Sequence, residues 1–204
     1  MKMTGLPFEV ARPDIDETPR PGESGGDYVM RLSLEKAWAV ASGAQGDMLI
    51  LSADTTVVDG SQILGKPGNA DEATAMLRQL RQRSHVVHTG VTVIDTASGQ
   101  SATALTTTRV FMRPYTDEEI TAYVASGDPI GKAGSYAVQN VAFHPVDRLD
   151  GCYTNVVGLP MCTVYAMLGQ SGVRLPFPVT CSPANPPCVF SAPGALASPN
   201  PVSF

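Results

Sequence analysis

Apolar and polar positions along this chain alternate between two rhythms, one helical and one of strands. From Asp27 to about Ser42, Met30, Leu34, Ala37 and Ala41 fall on one helical stripe, with Val29, Leu32 and Val40 widening it. Asp27 is the predicted N-cap of that helix and Gly43 its stop. A second helix opens at Asp71-Glu72, acids that suit its N-terminal dipole, and carries Ala75, Met76, Leu77 and Leu80. Thr116-Asp117-Glu118-Glu119 resembles a capping box and predicts a helix through about Ala125. A last helix is predicted over Met161–Leu168. Ser84–Asp95 reads as one long strand, and a Thr-rich strand from Ala102 to Met112 folds back on it as a hairpin. Leu6–Val10 and Val141–Leu149 are weaker strand candidates. Gly131–Asn140 is a glycine-punctuated loop in which Gly134 would let the backbone approach a ligand.

The stretch Leu49–Pro67 organises the rest. Met48–Leu51 is a short apolar run of the kind that makes a strand buried on both faces, and Asp54-Thr55-Thr56 follow at its C-terminal end. Val57-Val58 predict a second strand running into a tight Asp59-Gly60 turn, and Gly65-Lys66-Pro67 sets a cation on another turn. An acid and an ammonium on neighbouring strand ends suit a metal-bound phosphate. The alternative is that Asp54 caps a turn and Lys66 is a solvated cation. Lys36, on the first helix beside its buried stripe, is either a snorkelling surface residue or a phosphate ligand. His85 and His88 are three apart, so on a strand they face opposite sides, and both are read as structural.

The chain has 204 residues, enough for one domain with a sizeable core. A net charge of -5 with 16% charged residues argues against nucleic-acid binding through a basic surface. No run reaches membrane-span length and no charged-then-apolar leader opens the chain, so a cytoplasmic protein with no membrane partner is expected. Cys152, Cys162, Cys181 and Cys188 lack C-x-x-C spacing, which favours buried or tail thiols over a zinc site. Beyond Val173 the repeated prolines rule out regular structure, so 173–204 is expected to be an extended or disordered tail on a domain spanning 1–172.

Several landmarks, in order, resemble the Maf family of nucleoside triphosphate pyrophosphatases. They are Asp14–Glu17, Leu32 to Lys36-Ala37, Asp54-Thr55, Gly65-Lys66-Pro67, His85–Val91, Lys132–Tyr136, Gln139 and Asn155–Pro160. Together they cover nearly all of Leu6–Leu168, and the ordered spacing is more specific than any one piece. The resemblance implies an α/β fold with a bent mixed sheet, flanked by helices, around a central cleft. It implies hydrolysis of a nucleoside triphosphate to the monophosphate and pyrophosphate, with a divalent cation, Mg²⁺ or Mn²⁺, as cofactor and a homodimer as the expected assembly. Carried onto this sequence, Asp54 matches the proton acceptor, and Glu17, Lys36 and Lys66 match phosphate- or metal-binding positions, with Asp54 and Glu17 the metal candidates. Thr55 and Gln139 match specificity positions and resemble the dTTP/UTP subgroup.

The residue chemistry agrees on its own terms. Attack on a triphosphate needs cations to neutralise the transition state, a carboxylate to take a proton from water, and oxygen ligands for Mg²⁺. The chain departs from the family in two places. It lacks the first strand and the S-x-S-P-R-R loop, for which a misplaced start is expected in preference to the alternative, a truncated chain, and Gly131 stands where an acid is common. The departure at the start motivates an alternative reading as a catalytically impaired nucleotide-binding or division-regulating protein.

Overall fold

The computed structural model describes residues 4–175. The expectation of an extended tail therefore falls, from residue 176 onward, outside the described residues. The chain folds as α1 (Gly25–Ala41), β1 (Leu49–Asp59), β2 (Gln62–Leu64), α2 (Ala70–Leu80), β3 (Ser84–Asp95), β4 (Ser101–Met112), α3 (Asp117–Ala125), a 3-10 turn (Ala133–Ser135), β5 (Val146–Asp150), α4 (Tyr153–Val157) and α5 (Met161–Gln170). The strands form one sheet in the order β2-β1-β3-β4-β5. The α/β class and the flanking helices are as expected, but the expected mixed sheet is antiparallel at each described pairing.

The two short strands predicted around Asp54 are one. β1 pairs continuously with β3 from Leu49↔Asp95 to Val58↔Val86. Asp54 thus sits inside an antiparallel strand opposite Gly90, not at a strand's C-terminal end. β2 covers only Val57–Asp59, so among the described residues the rest of β1 is a free edge. Alternation then sends Asp54 and Thr56 to one face of the sheet and Thr55 and Val57 to the other.

α1 lies on the Asp54 face. Its N-cap is Ser24, whose hydroxyl accepts from the Asp27 backbone N–H at 3.2 Å, so Asp27 belongs to the first turn and is not the cap. The buried face also rotates from the predicted stripe: Val29, Leu32, Ser33 and Ala37 are buried, while Met30 and Leu34 are only half-buried. Ser33 reaches Thr92 Oγ1 at 3.0 Å, a polar contact that an apolar periodicity does not anticipate. A Cβ added at Gly90 would lie 2.3 Å from the Val29 carbonyl oxygen, so the helix rests directly on the β3 backbone.

The opposite face carries two apolar clusters. Val57, Val87 and Val110 pack with Leu77 and Leu80 of α2, Ile120 and Tyr123 of α3, and Tyr115, Tyr136 and Phe143. Val91 and Val93 pack with Val164, Met167 and Leu168 of α5. Between them runs a polar seam, which explains the threonine-rich strands. Asn155 donates from Nδ2 to the Val87 carbonyl at 3.1 Å and to Thr108 Oγ1 at 3.0 Å, while Thr106 and Thr163 hydroxyls meet at 2.7 Å. α4, which the pattern does not predict, is the short helix that seats Asn155. Its Thr-Asn-Val-Val run is poor in helix formers, and Gly158 ends it at φ 114°.

Two strand expectations fail. Leu6–Val10 forms no strand, although Leu6 packs against the Val91 cluster. β5 is Val146–Asp150 rather than Val141–Leu149, because Asn140 caps a turn by accepting from the Phe143 and His144 backbone N–H groups, and Pro145 follows. The Thr116 capping box of α3 is present with both reciprocal bonds.

Candidate functional site

The free edge of β1 opens onto a cleft of about 360 Å³. Because Asp54 and Thr55 point to opposite faces, both reach this space only by flanking the uncovered edge. The floor is Ala53–Thr55 and Val57; Lys66 borders it from the loop after β2, and Tyr136 and Gln139 from the loop around the 3-10 turn.

Three of the expected residues meet at one point. Lys36 Nζ lies 2.6 Å from Asp54 Oδ1 and 2.6 Å from Glu17 Oε1. The snorkelling alternative for Lys36 is thereby excluded, since its side chain keeps 19% exposure and turns inward along α1. The Asp54 carboxyl retains 12% exposure, whereas Glu17 is half open at 49%. Glu17 arrives from the proline-fixed loop ahead of α1, which is tied to that helix. Tyr28 Oη donates to the Glu17 carbonyl at 2.9 Å and Arg31 donates to the Thr18 carbonyl at 3.2 Å.

The electrostatics follow from this geometry. Burial pushes the Asp54 carboxyl above its ordinary value, with the hydrogen bond and charge of Lys36 working against that shift and Glu17 adding to it. Glu17 moves down, chiefly through its hydrogen bond to Lys36. Lys36 loses some basicity to burial, but its two carboxylate partners outweigh that and raise it. One ammonium shared by two carboxylates leaves Asp54 less fully compensated than in a one-to-one pair. A raised carboxyl in a cleft is suited to taking a proton.

Lys66 is exposed at the cleft rim and close enough to lower both carboxyls by its charge. Thr55 is turned to the far face, where its Oγ1 lies 2.7 Å from Thr89 Oγ1 and 3.3 Å from the Gly158 carbonyl. Gln139 is exposed and also lines the cleft. The six expected residues therefore divide into a contact cluster (Glu17, Lys36, Asp54) and three cleft-lining residues (Thr55, Lys66, Gln139).

His85 and His88 are both structural in their contacts. His85 is buried with Nε2 2.8 Å from Tyr136 Oη, and His88 on the other face meets Thr107 Oγ1 at 2.9 Å. Among the described residues no group of three or more His, Cys, Asp or Glu side chains gathers as a metal site. Two carboxylates already converging on one cation nonetheless fit an oxygen-preferring divalent ion that takes its remaining ligands from water and phosphate. Neither described cysteine forms part of such a group.

Sequence reasoning passed over Lys132 as a site residue. It lines the same cleft, and a signal was available: Gly131-Lys132 repeats the glycine-lysine doublet of Gly65-Lys66 in a second turn. No helix among the described residues is long and apolar enough to cross a membrane.

A family profile described as Maf-like protein matches residues 1–171 of the chain. A dTTP/UTP pyrophosphatase of Pelotomaculum thermopropionicum is 46% identical over 175 residues, covering 86% of this chain and 91% of the relative. A dTTP/UTP pyrophosphatase of Hahella chejuensis is 45% identical over 173 residues, with 84% and 85% covered. A third, from Pasteurella multocida, is 39% identical over 183 residues, with 86% and 90% covered.

Proposed function

Since this chain belongs to the Maf family, we propose that it hydrolyses nucleoside triphosphates, with dTTP and UTP as substrates, to the monophosphate and pyrophosphate. The observation that carries the reading is the convergence of Asp54 and Glu17 on Lys36 at the edge of a cleft that Lys66 also lines.

In this reading water attacks the α-phosphorus and Asp54 accepts its proton, the raised affinity of the buried carboxyl favouring the transfer. The bond from the α-phosphorus to the bridging oxygen breaks, and that oxygen leaves with pyrophosphate. Lys36 keeps the Asp54 carboxylate oriented, and Lys66 places a charge against the phosphates. Asp54 and Glu17 would hold Mg²⁺ or Mn²⁺, which would neutralise phosphate charge and lower the pKa of a bound water. Thr55 and Gln139, which both line the cleft, contact the pyrimidine: the Gln139 amide offers both a donor and an acceptor to its edge.

The test is pyrophosphate release from dTTP and UTP with Mg²⁺ or Mn²⁺, compared between the wild type and Asp54→Asn. Loss of the proton acceptor is expected to lower kcat by about a hundredfold or more. Undiminished turnover in Asp54→Asn would remove that residue from its role, and absence of pyrophosphate with every triphosphate would remove the activity.

A further inference from the structure

Charge is distributed unevenly along the cleft. At one end Lys36 is a single cation facing two carboxylates, so this end carries no surplus positive charge for a polyanion. Two other ammonium groups border the same space, Lys66 and Lys132. Their loops are joined by one backbone hydrogen bond, from Gly134 N–H to the Gly65 carbonyl at 3.1 Å. Lys66 directly follows the acceptor residue and Lys132 precedes the donor by two, so the two cations flank that bond. The joint depends on Gly134, which sits at φ 68° and whose missing Cβ would crowd the Val57 side chain at 3.1 Å.

Lys132 is aimed. Its Nζ donates to the Asp128 backbone carbonyl and to Asp128 Oδ1, the latter at 3.0 Å. Asp128 is fixed in turn by Tyr123 Oη, donating to Oδ2 at 2.7 Å, and by Asn140 Nδ2 at 3.1 Å. Tyr123 Oη itself accepts from the Ala137 backbone N–H at 3.1 Å, which ties the network to the cleft loop. An ammonium has three donors. Two of those on Lys132 are taken, one of them by the Asp128 carboxylate that offsets its charge, which leaves the third donor for the cleft.

We propose that Lys132 is a second phosphate-binding residue that works with Lys66 to hold the pyrophosphate end of the nucleotide, and that Asp128 is its positioning residue. This rests on the reading of the cleft as a nucleoside triphosphate site. It also gives the bound substrate a direction: the α-phosphate lies toward Asp54, and the departing phosphates lie toward the Gly65–Gly134 joint. The Lys66 charge and the remaining Lys132 N–H donor then sit where negative charge accumulates as the bond breaks.

The experiment is calorimetric titration of the full chain with inorganic pyrophosphate and, separately, with UMP, both in Mg²⁺ buffer. Lys132→Gln is expected to weaken pyrophosphate binding about tenfold, which is the loss of one partly screened charge contact, while leaving UMP binding within about twofold. Lys132→Arg keeps much of the affinity, and Asp128→Asn falls between wild type and Lys132→Gln for pyrophosphate alone. Retained UMP binding doubles as the check that each variant is folded. Equal weakening of both ligands, or of neither, overturns the assignment. No turnover is needed for these measurements. A Lys132-dependent pyrophosphate site in a protein that fails to cleave UTP would sink the enzymatic reading alone, and UTP cleavage indifferent to Lys132 would sink only this inference.

Discussion

Replacing Gly90 by alanine puts the joint between helix and sheet to the test. The added Cβ would lie 2.3 Å from the Val29 carbonyl oxygen, 2.6 Å from its carbonyl carbon and 2.8 Å from the Met30 nitrogen, where ordinary contact begins near 3.4 Å. The shortfall is about 1 Å, and every atom it meets is helix backbone, which has no rotamer to give way. Overpacking of a core costs about 1–3 kcal/mol, and a backbone clash belongs at the upper end, near 3 kcal/mol. For a domain of this size that is a fall in Tm of roughly 6–12 °C. The same displacement lifts α1 from the strand position facing Asp54, since Gly90 and Asp54 are register partners and Lys36 rides on α1. Pyrophosphate release should therefore fall together with stability. Urea denaturation followed by circular dichroism measures the first effect. Gly169→Ala is the control, because nothing lies within 4 Å of its added Cβ in α5, and a gain of about 0.5–1 kcal/mol is expected there. A Gly90→Ala protein less than about 1 kcal/mol below wild type would refute the direct seating of α1 on β3.

Two further predictions concern protons. Burial drops His85 from 6.5 to about 4, so the unfolded chain takes up its proton at a pH where the folded protein still refuses it. Stability should fall as pH drops through that window, by roughly 3 kcal/mol in all, and His85→Gln should flatten the pH dependence of the urea midpoint between pH 6.5 and 4. An unchanged slope in His85→Gln would assign the effect elsewhere. Lys36→Met removes the partner that holds the Asp54 carboxyl down against burial and Glu17, so the acid limb of kcat/KM should move to higher pH. A limb that stays in place would mean that Asp54 is not the group titrating in it.

Where a local rule controlled the outcome, the sequence alone was sufficient. The Thr116 capping box starts α3 because its partners lie three residues apart, and Ser84–Asp95 pairs along its full length because Val, Ile and Thr favour a pleated surface. The ordered landmarks from Asp14 to Pro160 were also legible, because they are a property of the chain's order and need no coordinates. Contacts between distant segments were not legible. Whether Lys36 snorkelled or turned inward depended on Asp54 lying beneath α1, and that in turn depended on Gly90 letting the helix close on the sheet. The continuity of β1 depended on β3 supplying a partner for every residue from Leu49 to Val58, which overrode the polar interruption at Asp54-Thr55-Thr56. Lys132 joined the cleft through contacts between distant segments, among them a backbone bond between loops some seventy residues apart. Spacing fixes what neighbours in the chain can do, but a charge far along the chain acquires a partner only when burial of apolar faces elsewhere brings the two together.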